Sequence, residues 1–115
     1  MLKLKEKSKN ENYPLLVACY HEDIEIAKLL IEYANDNNIL LDLNEKTNKG
    51  NYPLLLAMKV NKNLKMIELL IDYANKNNII LELNEKDCDN GEFPLIVACK
   101  RNNIAMVHLI INYAN

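Results

Sequence analysis

Few side chains in this 115-residue sequence have the chemistry to move a proton, attack an electrophile or hold a metal. The candidates are His21 and His108, the thiols Cys19, Cys88 and Cys99, and the polar cluster Asp87, Asp89 and Asn90. Histidine is the natural base near neutral pH, but His21 falls in a polar inter-helix turn and His108 on the outer face of a helix. Both read as solvated surface residues. Cys19 and Cys99 occupy the same place in an internal repeat, where Met58 stands in for them once, so small core residues are expected. Cys88 lies in a polar loop between Asp87 and Asp89, whose negative charges blunt a nucleophile. Asp87, Asp89 and Asn90 resemble the start of a calcium loop, yet the 12-residue spacing and terminal Glu of an EF-hand are missing. With Gly50 and Gly91 as the only glycines, no phosphate-cradling glycine pattern exists. No catalytic residue, metal ligand or cofactor is expected, and the chain reads as a non-enzyme.

Composition narrows the partners. Fourteen Lys and Arg face 16 Asp and Glu, for a net charge of −2. A nucleic-acid or membrane-surface binder would need a basic excess, so neither partner is expected. The apolar runs, such as Ile39–Leu41 and Leu54–Met58, fall far short of the ~20 residues of a membrane span. Met1-Leu2-Lys3-Leu4-Lys5-Glu6-Lys7 alternates Leu with charge and lacks the apolar stretch of a secretion signal. Three cysteines without CxxC spacing read as free thiols in a reducing, cytoplasmic setting. Half the residues are apolar, enough for a core in a single domain. Asparagine is over-represented at 19 residues, an enrichment that biased codon usage alone would produce.

The elements that would position any site come from a threefold repeat. Tyr13-Pro14-Leu15-Leu16-Val17-Ala18 matches Tyr52-Pro53-Leu54-Leu55-Leu56-Ala57 and Phe93-Pro94-Leu95-Ile96-Val97-Ala98. A second block, Leu30-Ile31-Glu32-Tyr33-Ala34-Asn35, returns at Leu70–Asn75 and Ile110–Asn115, with the tyrosines 40 residues apart each time. A third, Ile39–Lys46, returns at Ile79–Lys86. The repeats run over 2–40, 41–80 and 81–115. Each reads as helix, turn, helix, extended loop. Proline suits a first helical turn. His21-Glu22-Asp23, Asn61-Lys62-Asn63 and Arg101-Asn102-Asn103 make polar inter-helix turns, where Asn tolerates a left-handed backbone. Ile26, Ala27, Leu30, Ile31 and Ala34 form one apolar helical face. Lys49-Gly50 and Asn90-Gly91 mark tight turns at loop tips. The fold expected is an all-α solenoid of stacked helix-turn-helix units joined by extended hairpin loops, closely approached at Ala18, Ala57 and Ala98.

These blocks resemble the ankyrin repeat, whose pattern includes T-P-L-H-x-A. Pro14-Leu15, Pro53-Leu54 and Pro94-Leu95 keep its P-L, and Ala18, Ala57 and Ala98 its alanine. Lys49–Pro53 and Asn90–Pro94 look like its D-G-x-T-P turn, and Leu43–Lys46 and Leu83–Lys86 like its V-N-A-K stretch. The resemblance covers essentially the whole chain. Tyr or Phe replaces the family's Thr and Leu or Ile its His, so the polar network between adjacent loops is expected to be lost and replaced by aromatic contact. The unit is about seven residues longer than the family's, around Asn35–Ile39, which reads as a lengthened second helix. A HEAT-like repeat of similar period is the fold alternative. The register of the repeat at both ends, without polar caps, leads us to expect part of a longer array and self-association through uncapped ends.

What the resemblance implies is a protein- or peptide-binding module using its concave, loop-bearing face; a spacer in a longer array is the alternative. Positions that fold the repeat should recur, whereas positions free to bind should vary. The variable positions are Lys9, Asn10 and Asn12 with Tyr20 and His21; Asn48, Lys49 and Asn51 with Lys59 and Val60; and Asp89, Asn90 and Glu92 with Lys100 and Arg101. Their cations suggest a partner with a mildly acidic patch, anchored by Tyr20.

Overall fold

The structure, a computed structural model, describes residues 1–60 and 64–115. The inter-helix turn expected at Asn61-Lys62-Asn63, with the extra residue of the second repeat, lies outside the described residues. Among those described, six helices and no strands are found: α1 (Pro14–His21), α2 (Ile24–Asp36), α3 (Pro53–Val60), α4 (Lys65–Lys76), α5 (Pro94–Lys100) and α6 (Ile104–Ala114).

Local chemistry sets their ends. α1 and α5 begin at proline, after Tyr13 and Phe93 in extended backbone near φ −132° and −135°. Asp23 and Asn103 cap α2 and α6 by accepting from the amides of Ile26 and Met106, each at 3.0 Å. α1 ends on a left-handed residue at φ 53°, and that residue is Glu22, with the Asp23 amide donating back to Ala18 O at 3.0 Å. Asn102 takes the same φ after α5. The outer helices end on paired asparagines. Asn37 and Asn77 donate from their side chains to the carbonyls of Tyr33 and Tyr73, while Asn38 and Asn78 turn left-handed at φ 56°. Asparagine enrichment therefore has structural work to do at helix ends. The segment Asn35–Ile39 is helical only to Asp36; beyond it come this turn and extended chain, so the lengthened helix accounts for part of the insertion.

α1, α3 and α5 stack on one another as an inner layer, and each is covered by its own outer helix α2, α4 or α6. The stack measures 41 × 30 × 23 Å. Its centre is the second repeat, where Leu54, Leu55, Met58, Ile67 and Leu70 are fully buried. Each such side chain contributes roughly 2–3 kcal/mol. Ala18, Ala57 and Ala98 are buried as well, which permits the close approach of the inner helices.

Equivalent residues differ at the two ends. Leu15 and Leu16 are buried, whereas Leu95 and Ile96 are 41 % and 38 % exposed. Cys19 is buried but Cys99 is exposed, correcting the expectation that both lie in the core. Ile26, expected on a buried face, is 48 % exposed, although Met66 and Met106 at its place are buried. Each interface needs a neighbouring repeat to close it.

The loops are bonded to one another, against the expectation of aromatic contact alone. The Tyr13 hydroxyl donates to Glu45 O at 2.8 Å and the Tyr52 hydroxyl to Glu85 O at 2.9 Å. Burial pushes both phenols well above their ordinary pKa, so they remain donors. Lys7–Glu45 at 2.9 Å and Lys46–Glu85 at 2.7 Å repeat one ion pair across successive junctions.

Candidate functional site

The variable residues lie on three loop tips and the inner-helix ends beside them. Each tip is closed by a backbone bond between its ends: Ser8 N to Asn12 O at 2.7 Å, Thr47 N to Asn51 O at 2.9 Å and Asp87 N to Glu92 O at 2.9 Å. The residue that opens the tip also pins it with its side chain. Ser8 Oγ accepts from Asn12 N, Thr47 Oγ1 from Asn51 N, and Asp87 Oδ1 from both Asn90 N and Glu92 N. A left-handed residue sits near the end of each tip: Glu11, Gly50 and Gly91. Glycine is required at the second. A Cβ on Gly50 would lie 2.9 Å from Asp87 Cα and 3.0 Å from Lys86 O.

Between the first two tips and the inner helices lies a groove of about 630 Å³. Lys9, Asn10, Asn12, Tyr20, His21, Asn48, Lys49 and Asn51 all line it, with Leu16, Val17 and Leu56 as its apolar floor. Tyr20 is 58 % exposed, and its ring meets that of His21 edge-on at 5.1 Å. Glu11 is the groove's acidic side chain, and its carboxylate accepts from the Asn48 amide at 3.0 Å. Lys9 and Lys49 are both exposed, leaving the groove mildly positive.

The remaining candidates do not line this groove. Lys59 is half-buried; its ammonium donates to Asp87 Oδ2 and to Asn51 Oδ1. The Asp87 side chain is fully enclosed. Burial there opposes ionisation, but Lys59 and the amides of Asn90 and Glu92 outweigh it and hold the carboxyl down at about 2. Lys100 pairs with Glu92, and the Arg101 guanidinium donates to Lys59 O at 2.6 Å, across the junction from α5 to α3. Val60 ends α3 half-buried. Asp89 and Asn90 are exposed on the third tip, beside Cys88, whose amide donates to Lys49 O at 2.7 Å. Lys59 and Arg101 thus brace the stack, and Lys100 its own tip.

Two sets of residues escaped the sequence reading. Tyr33, Tyr73 and Tyr113 each accept, at the hydroxyl, from the amide that opens their own repeat: Leu2, Leu41 and Leu81, at 2.8–3.0 Å. Their strict 40-residue spacing was a signal for this role. Asn44 spans the next repeat's extended chain, donating to Ile80 O at 2.8 Å and accepting from Glu82 N at 2.9 Å. It recurs as Asn84 in the third repeat, but its counterpart in the first is Lys5, so the periodic signal was carried by two repeats of the three.

Among the described residues, no group of three His, Cys, Asp or Glu side chains is placed to hold a metal ion, and no helix is long and apolar enough to cross a membrane. A family model for ankyrin repeats in three copies matches residues 2–80 and again 36–115. No curated protein matches the chain.

Proposed function

The chain belongs to the ankyrin-repeat family, and we propose that it is a non-catalytic module that holds a protein or peptide segment in the groove between its first two loop tips and α1. Ankyrin repeats are generally protein–protein interaction modules. The observation that carries this reading is the convergence of eight variable residues on one groove. The opposite half of the same face spends its cations on internal contacts. Asn10, Asn12, Asn48 and Asn51 offer amides that pair with an extended backbone. Lys9 and Lys49 favour carboxylates along it, and Tyr20 supplies an aromatic anchor. The ligand is therefore a segment carrying a mildly acidic patch.

Selection from a displayed peptide library tests the groove. Peptides retained by the chain should be enriched in Asp and Glu. Tyr20→Ala combined with Lys49→Ala should lower their affinity about tenfold or more with helicity unchanged, whereas Lys100→Ala should leave affinity within about twofold. Full affinity in the double variant rejects the groove.

A spacer role is the second reading. Its support is the bracing by Lys59 and Arg101, which makes the third repeat a mechanical continuation of the second. Recovery of no groove-dependent peptide would favour it.

A further inference from the structure

We propose that the two ends of the stack are complementary, so that the third repeat of one molecule docks on the first repeat of a second copy, head to tail. The junction to be formed already occurs twice inside the chain, and each of its parts can be checked there. On the inner helices, one side of every junction is a leucine-type pair. Leu15 and Leu16 are covered by the second repeat and Leu54 and Leu55 by the third, while Leu95 and Ile96 stand exposed. The other side is formed by Val97 and Met106 in the third repeat, both buried; their counterparts Val17 and Ile26 are 40 % and 48 % exposed. One end therefore offers the projecting half of the apolar contact and the other end the receiving half.

Charge selects a copy of this chain as the occupant. Lys7 pairs with Glu45 and Lys46 with Glu85. The next lysine in that series, Lys86, is exposed with no ion pair among the described residues, and so is the glutamate that begins it, Glu6. Docking the third repeat on a second copy in the same register sets Lys86 opposite Glu6. It also sets exposed Asn84 opposite the backbone of Met1 and Lys3, in the place where Asn44 holds Ile80 and Glu82. Phe93 replaces the tyrosines that bond the internal loops, so the contact between copies lacks that hydroxyl and is weaker than its internal models. A contact of this kind uses two different surfaces and leaves one of each unused. It grows by addition and does not close as a dimer.

Sedimentation equilibrium on the 115-residue chain tests this. The expected result is a weight-average mass that rises with concentration past the dimer without a plateau. Leu95→Glu, at a side chain already partly in solvent, should lower the association constant at least about tenfold with unchanged circular dichroism. Lys86→Glu and Glu6→Lys should each lower it about fivefold. An equimolar mixture of those two variants restores opposite charges at both kinds of junction and should recover wild-type association. A chain that stays monomeric to about millimolar concentration, a plateau at dimer mass, or a mixture no better than its components would each overturn the proposal.

Discussion

The junction between the first two loop tips and that between the second and third are built on one pattern, yet the first leaves an open groove and the second is bridged by an ion pair. The difference lies in two equivalent positions. Where the second tip opens with Thr47, the third opens with Asp87, and where α1 carries Tyr20, α3 carries Lys59. Threonine reaches only its own tip, through the bond from Asn51 N. Aspartate has a second oxygen to spare, and that oxygen takes the ammonium of the preceding repeat. A repeat protein can thus switch a stretch of its face between open and braced by changing a pair of side chains, with the backbone left alone.

Removing the brace should produce the largest effect. Asp87→Ala strands a partly buried Lys59 and opens the third tip, at a cost of roughly 3 kcal/mol in urea unfolding. Thr47→Ala at the equivalent place of the first junction should cost under about 1 kcal/mol. The same asymmetry appears against pH. The Asp87 carboxyl is held down at about 2 in the folded chain, against roughly 4 when unfolded. Its contribution is therefore complete above about pH 5 and lost as the pH falls through 4 toward 2. Asp87→Asn should flatten that part of the stability profile; an unchanged profile would remove the carboxylate from the explanation.

A second contrast separates the glycines. Gly50→Ala drives a Cβ into the backbone of the third tip and should cost roughly 2 kcal/mol. Gly91→Ala meets nothing within 4 Å and carries only its left-handed backbone, φ 65°. It should cost about 1 kcal/mol, and equal losses would show that tip-to-tip contact matters little. A comparably small effect is expected of Tyr52→Phe, about 1 kcal/mol for the bond to Glu85 O. Phe93 already tolerates the change in the third repeat. Differential scanning calorimetry resolves losses of this size.

Whatever recurs every 40 residues was open to reading from the chain alone: the proline-led inner helices, the buried alanines, the tight tips. Chemistry confined to one junction was not. Lys59 and Asp87 stand 28 residues apart and have no counterpart pair in the first two tips. Their charges looked like surface variation until the tips were seen side by side. The hydroxyls of Tyr13 and Tyr52 were hidden for another reason. An aromatic at a threonine's place suggests contact area, while the hydrogen bond depends on how far the phenol reaches across to the next loop. Cys19 and Cys99 show a third limit. Their local sequences agree and their burial differs, because burial here is decided by the neighbour. The groove was legible as a set of variable positions, but not its division, since variation alone cannot tell a braced lysine from an available one.

The sequence has no tryptophan and six tyrosines. Five of those phenols are tied to the backbone, whereas Tyr20 lies in the groove with its ring largely in water. Quenching of its ultraviolet emission by iodide therefore reports groove occupancy selectively. The protein carries its own optical probe at the one place where a ligand would shade it, and no label needs to be attached.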